Sequence, residues 1–226
     1  MCDSEAKLGV PNTFALFMDV ATEHAEALGI GATNLMPRGL FWLTVKTKVI
    51  FHERPRMMER VTVTTWPGPA ESLRCPRYYT VEQNGARLIE GKTEWAVMEM
   101  ETGKLHSATD IYPAELVPLA DTVCDGPFLR VRPDFSDGEE IGAYTVRSTD
   151  IDLGGHMNNA AYVRAVIGAI PTAILREKPI READFLFRTP CYEGDTLTLR
   201  RRVLEDRMEL GVFTEAGKPA LLVTLR

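Results

Sequence analysis

The densest run of chemically capable residues is Arg147-Ser-Thr-Asp150-Ile-Asp152-Leu-Gly154-Gly155-His156-Met157-Asn158-Asn159-Ala-Ala-Tyr162. Asp152 and His156 bracket a Gly-Gly pair, and helical spacing begins just after them. A carboxylate can take a proton from water, and an imidazole can orient that water or shuttle a proton. The first turn of a helix adds unpaired backbone N–H groups and a partial positive charge, which suit a carbonyl oxygen becoming an oxyanion. Asp150, Asn158 and Asn159 also suit plain turns and caps. Two titratable groups flanking a Gly-Gly turn exceed what a cap requires.

The elements that must position this cluster repeat along the chain. Phe14, Phe17, Met18, Ala21, Ala25 and Leu28 have helical spacing, closed by Gly29. Alternating strand patterns follow at Val45–Phe51 and Val61–Thr65, the latter broken at Trp66-Pro67. Tyr78–Gln83 and Ala86–Ile89 flank a hairpin signal at Asn84-Gly85, and Glu94–Met100 reads as a further strand. In the second half a helix runs from Ala160 to Ile170, kinked or ended by Pro171. Strands follow at Ala183–Phe187, Thr196–Leu204, Met208–Thr214 and Ala220–Leu225. Val49, Phe51, Glu59, Val61 and Val63 fall opposite Phe185, Phe187, Asp195, Leu197 and Leu199, each 136 positions later.

One helix and an antiparallel meander, given twice, predict two α+β domains in which a sheet wraps a helix. The expected division is 1–115, a Pro-rich linker at 116–135, and 136–226. Tyr144–Ser148 is expected as a strand before the second helix. The first helix is preceded by too few residues for such a strand, so the first domain is expected to lack it.

The 226 residues are 45% hydrophobic, 26% charged and 8% aromatic, with net charge −6 and mean hydropathy −0.12. This is the composition of a soluble globular protein and excludes disordered, collagen-like and membrane-spanning classes. No apolar run approaches the roughly 18 residues of a membrane span. Met1–Glu5 lacks signal-peptide character, so a cytoplasmic protein is expected. Cys2, Cys75, Cys124 and Cys191 lie far apart and the four histidines are scattered, so neither a metal site nor disulfides are expected. The acidic balance argues against nucleic-acid binding, despite local basic clusters at 54–60 and 200–202.

The cluster resembles the D-x-D-x-N-x-H-x-N-N-x-x-Y signature of the plant and bacterial acyl-ACP thioesterases. It also resembles the looser D-x-D-x-x-G-H-x-N-N-x-x-Y signature of hot-dog acyl-CoA thioesterases. His24-x₃-Leu28-Gly29, Leu40-Phe41-Trp42, Glu59-Arg60-Val61, Thr65-Trp66 and the Glu94-Trp95 to Thr102 segment extend the likeness over nearly the whole chain and favour the two-domain enzymes. The resemblance implies two tandem hot-dog domains, the second catalytic and the first holding the acyl chain. It implies hydrolysis of fatty acyl-ACP to free acid and holo-carrier, terminating fatty acid synthesis, with no metal or redox cofactor.

Under this resemblance Asp152 is the general base, or a transient nucleophile, and His156 orients water or protonates the departing thiolate. Gly155, Met157 and Asn158 would lend oxyanion-stabilising amides. The family's Asn falls on Gly154, and its Glu on Pro190 or, with a shifted gap, Cys191. Cys191 is either an accessory site group or a small buried hydrophobe. Met18, Met36, Trp42 and Trp66 either shape the acyl cavity or are plain core. Acyl-carrier protein, an acidic partner, would dock on Lys46, Lys48, Arg54, Arg56, Arg60 and Arg200–Arg202, which otherwise form solvated strand faces. A monomer or a homodimer is expected. The alternatives are a thioesterase acting on acyl-CoA and a non-hydrolytic acyl-binding protein with a decayed site.

Overall fold

The computed structural model describes residues 1–226. The chain divides into two compact units, Ala15–Gly126 and Met1–Phe14 with Pro127–Arg226. The segment 116–135 is thus shared between them, and the first residues group with the C-terminal half. Phe14 supplies a reason, since its ring meets Phe185 edge-on at 5.6 Å and Phe187 at 5.9 Å.

Helix α1 runs Val10–Ala27. Its end is a Schellman motif, with Gly29 at φ 72°, the Gly29 amide on the Glu26 carbonyl and the Ile30 amide on the Ala25 carbonyl. A single turn, α2 (Ala32–Leu35), leads into β1 (Leu40–Phe51), β2 (Thr62–Pro67), β3 (Cys75–Gln83), β4 (Ala86–Glu99) and the short β5 (Leu105–His106). Asn84 and Gly85, at φ 50° and 80°, form the expected two-residue hairpin between β3 and β4. Two expectations change here. The strands expected at Ala86–Ile89 and Glu94–Met100 are one continuous β4, because β1 and β3 pair with it on both sides through Glu90–Thr93. Gly91 breaks the hydrophobic pattern in sequence only because the Phe17 ring occupies the space its side chain would fill. Trp66-Pro67 does not break β2 but ends it, paired with Tyr78 and Arg77.

The other unit contains β6 (Glu139–Thr145), α3 (Asn159–Gly168), α4 (Thr172–Glu177), β7 (Glu182–Phe187), β8 (Thr196–Val203), β9 (Met208–Phe213) and β10 (Pro219–Leu225). All its strand pairs are antiparallel, in the order β7-β10-β9-β8-β6. In the first unit the order is β1-β4-β3-β2, so the two meanders share one plan. β6 is the extra strand, pairing with β8, and nothing equivalent flanks β2. It lies earlier than the expected Tyr144–Ser148, since the register shift between Glu140 and Gly142 hides its alternation. Arg147 is still extended, but the chain then turns at Ser148–Asp150, where the Asp150 carboxylate reaches back to accept the Arg147 amide.

Candidate active site

The sequence Asp150–Asn158 folds as a closed loop between β6 and α3. Ile151 and Met157 form an isolated antiparallel bridge. Inside it the Asp152 amide donates to the His156 carbonyl at 3.0 Å, and the Gly155 amide donates to the Asp152 carbonyl at 3.0 Å. Gly155 sits at φ 76°, a conformation that a Cβ would strain. The loop is locked below by Asp150. That carboxylate is 3% exposed and accepts the Tyr144 hydroxyl at 2.8 Å, the Arg147 amide at 2.9 Å and Arg164 Nη2 at 3.2 Å. Burial pushes its carboxyl up, but the Arg147 amide, Tyr144 and Arg164 outweigh burial and hold it below the ordinary aspartate value. The Asp150 carbonyl accepts both the amide and Nδ2 of Asn158, each at 2.8 Å. Asn158 Oδ1 in turn caps α3 by accepting from the Ala161 amide at 2.8 Å.

This frame carries the two groups singled out by their spacing. His156 Nδ1 lies 3.5 Å from Asp152 Oδ1, with side-chain exposures of 26% and 37%. Asp152 Oδ1 also accepts the Gly154 amide at 2.8 Å, whereas Oδ2 takes no hydrogen bond from the chain. A Cβ on Gly154 would stand 2.9 Å from His156 Nε2 and 3.1 Å from Asp152 Oδ1. The imidazole therefore occupies room that any side chain at 154 would claim.

The expected oxyanion donors are corrected by the geometry. The Gly155 amide is committed to Asp152, the Met157 amide to the Cys191 carbonyl at 2.7 Å, and the Asn158 amide to Asp150. The first-turn amides without an acceptor in the chain are those of Asn159 and Ala160, one and two positions inside α3. Sequence reasoning missed them by looking for the donors in the loop ahead of the helix rather than in its first turn. Cys191 is fully buried, and burial raises its thiol, opposed by Tyr162 and reinforced by Asp195. Its visible contribution is the carbonyl that holds Met157. Pro190 is exposed beside it. Tyr162 packs edge-on against Phe187 and donates to the Thr189 carbonyl at 3.3 Å. No group of three or more His, Cys, Asp or Glu side chains is arranged to ligate a metal.

A second copy of the loop lies at the N-terminus. Cys2 and Leu8 bridge as Ile151 and Met157 do. The Asp3 amide donates to the Lys7 carbonyl, the Ala6 amide to the Asp3 carbonyl, and the Glu5 amide to Asp3 Oδ1 at 2.9 Å. Ala6, at φ 58°, stands where Gly155 stands, and Lys7 stands where His156 does. The sequence places the counterpart of the signature at Asp3–Asn12 but does not show the shared loop geometry, because only Asp3 keeps its residue type.

Residues 1–116 match the acyl-ACP thioesterase N-terminal domain and residues 136–214 match its C-terminal domain. The chain belongs to the acyl-ACP thioesterase family. It is similar to an acyl-[acyl-carrier-protein] hydrolase of Cuphea viscosissima, chloroplastic, at 24% identity over 80% of this chain and 47% of that protein. Against oleoyl-acyl carrier protein thioesterase 1 of Arabidopsis thaliana, also chloroplastic, identity is 20% over 80% of this chain and 55% of that protein. The chain thus spans about half the length of the curated relatives it matches. The 12:0-ACP thioesterase from Umbellularia californica superposes with TM-score 0.86, at 19% identity, over 100% of this chain and 92% of that one. An acyl-ACP thioesterase from Bacteroides thetaiotaomicron gives TM-score 0.81, at 20% identity, over 99% and 91%. The double hot-dog fold expected from the signature is therefore established.

Several residues expected as a carrier dock are otherwise engaged. Lys46 and Arg74 both pair with Glu94, Arg200 with Glu140, Arg201 with Glu139, and Arg202 with Asp137 and Glu209. Lys48 is 1% exposed and cannot meet a partner. Arg56 and Arg60 are exposed. No helix is long and apolar enough to cross a membrane.

Proposed function

We propose that this chain hydrolyses a fatty acyl thioester carried on acyl-carrier protein, giving a free fatty acid and the carrier thiol. The observation that carries the reading is the Asp152–His156 pair, 3.5 Å apart at the mouth of α3, with Asp152 Oδ2 unengaged. Water held at Oδ2 loses a proton to that oxygen as it attacks the thioester carbonyl carbon. The oxygen of the resulting tetrahedral intermediate takes the Asn159 and Ala160 amides, a contact commonly worth about 3 kcal/mol per donor. As the C–S bond breaks, the sulfur leaves with a proton from His156. Transfer of the proton from Asp152 to His156 then resets the pair. The bookkeeping closes on one water, one acid and one thiol, and neither step calls for a metal or redox cofactor.

Asp150, Asn158 and Tyr162 act here as positioning residues, since each holds the loop or helix rather than the reacting atoms. The four cysteines are all free, which supports action in a reducing compartment such as the cytoplasm. A second reading, acyl-CoA as the carrier, is favoured by the engagement of Lys46 and Arg200–Arg202 in ion pairs within the chain. Parallel assays on acyl-ACP and matching acyl-CoA, with wild type and Asp152→Asn, test both. Free acid released from acyl-ACP, with turnover reduced about 100-fold or more in the variant, supports the proposal. Equal turnover in Asp152→Asn removes that carboxylate from the mechanism, and preference for acyl-CoA moves the assignment to the second carrier.

A further inference from the structure

The two segments that close around the Asp152–His156 pair carry apolar side chains that nothing in the chain covers. Leu153 follows Asp152 in the closed loop and is 73% exposed. Tyr192 follows Cys191, whose carbonyl holds the Met157 amide at 2.7 Å, and is 54% exposed. A leucine and a tyrosine standing in water on hydrogen-bonded segments beside a reacting pair mark a surface that another molecule covers.

The frame itself asks for neither side chain. In the N-terminal copy of the loop Ser4 holds the position of Leu153, between the equivalent aspartate and the equivalent left-handed residue. The turn after β7 has a copy too, between β1 and β2. There the Arg56 amide donates to Glu59 Oε2 at 2.7 Å, as the Tyr192 amide donates to Asp195 Oδ2 at 2.8 Å. Met58 and Gly194 are both left-handed, at φ 69° and 89°. Arg56 thus holds the position of Tyr192, and both backbone shapes form with polar residues at these two places.

Two cations border the same surface. Arg147 adjoins the loop through its amide on Asp150, and Arg188 adjoins Thr189, whose carbonyl accepts Tyr162 of α3. Both are exposed, and no carboxylate of the chain pairs with either. Arg164, by contrast, is spent on Asp150, Lys46 on Glu94, and Arg201 on Glu139. Besides Asp152, Glu193 is the only exposed acid in residues 147–157 and 188–194.

We propose that the acyl-carrier protein docks on the catalytic unit itself, with an apolar patch on Leu153 and Tyr192 and carboxylates against Arg147 and Arg188. This rests on the reading that the thioester arrives on that carrier. Two free guanidiniums ask for anions, and two apolar groups on separate segments ask for a surface broad enough to cover both. An acidic protein offers the two together, whereas a phosphate group offers only the first. An anionic lipid surface would repel a chain of net charge −6.

Calorimetric titration of the intact chain with holo-acyl-carrier protein, bearing no acyl group, tests this without catalysis. Two double variants are compared with wild type: Arg147→Gln with Arg188→Gln, and Leu153→Ser with Tyr192→Gln. Each should bind the carrier at least about tenfold more weakly, with thermal unfolding confirming that it folds. Added salt should weaken binding to wild type and hardly change the arginine variant. Lys46→Gln with Arg201→Gln should stay within about twofold of wild type. Undiminished binding in either folded double variant, a tenfold loss at Lys46 and Arg201 instead, or no binding of the carrier at all overturns the inference. Hydrolysis of acyl-ACP and acyl-CoA is measured beside it. Absence of turnover on both, with carrier binding still lost in the variants, defeats the proposed hydrolase and leaves the docking surface standing. Turnover of acyl-CoA without any carrier binding defeats this inference and leaves the hydrolase standing.

Discussion

Replacing Asp150 by alanine should cost this fold several times what a turn residue normally costs. The side chain is 3% exposed and ends three hydrogen bonds, from Tyr144, the Arg147 amide and Arg164. Arg164 is half exposed on its side chain and can be rehydrated, so its loss counts little. The Arg147 amide and the Tyr144 hydroxyl face a partly buried hole, at roughly 1–3 kcal/mol each. We therefore expect about 2–6 kcal/mol in Asp150→Ala. For a chain of this size that lowers the unfolding midpoint by roughly 4–24 °C, at about 2–4 °C per kcal/mol. Asp150→Asn keeps one acceptor oxygen and should lose about half as much. Urea unfolding of the two variants measures this directly. The pH dependence has a definite sign. The folded carboxyl titrates below its unfolded value, so its contribution is fully present above about pH 4 and is lost as pH falls through the lowered value. In Asp150→Asn that acid-side loss should flatten. A cost below about 1 kcal/mol for alanine, or an unchanged acid limb in Asp150→Asn, would refute the claim that this carboxylate anchors the loop.

Restoring the family's amide with Gly154→Asn should lower turnover rather than raise it, because its Cβ would arrive 2.9 Å from His156 Nε2 and displace the ring. Steady-state kinetics together with a shifted imidazole signal in NMR would check this, and a more active variant would count against the geometry. Asn158→Ala removes both the α3 cap and the tie to the Asp150 carbonyl, and should cost about 1–2 kcal/mol by chemical denaturation. Gly91→Ala drives a methyl to 2.3 Å from the Phe17 ring and should destabilise by about 1–3 kcal/mol, with the midpoint restored in part by Phe17→Leu.

Much of this was legible in the residues, and the exceptions have physical causes. The 136-position repeat located β7 and β8 from β1 and β2, since alternation survives wherever one sheet face is buried. Gly29 and Asn84-Gly85 fixed a helix end and a hairpin because few residues accept a left-handed backbone. The continuity of β4 was hidden, as Gly91 answers to a ring 74 positions away in sequence. At the site, Asp152 and His156 announced themselves by type and spacing. Asp150 looked like an ordinary cap, for its partners Tyr144 and Arg164 come from a neighbouring strand and a helix. The amides of Met157 and Asn158 could not be judged from sequence at all, since hydrogen-bond acceptors such as the Cys191 carbonyl leave no mark on residue identity.

The paired loops at Cys2–Leu8 and Ile151–Met157 separate two things that are usually confounded. The N-terminal loop keeps the bridge, the aspartate turn and the left-handed residue while carrying Lys7 in place of an imidazole. Its shape therefore owes nothing to catalysis, and catalysis in its twin is a side-chain addition to a frame that closes by itself. Such a frame tolerates loss of activity without loss of fold, so a descendant of this chain could fall silent chemically and still persist as a binding protein. It also means that a histidine at position 7 would enter a scaffold already bent to receive it.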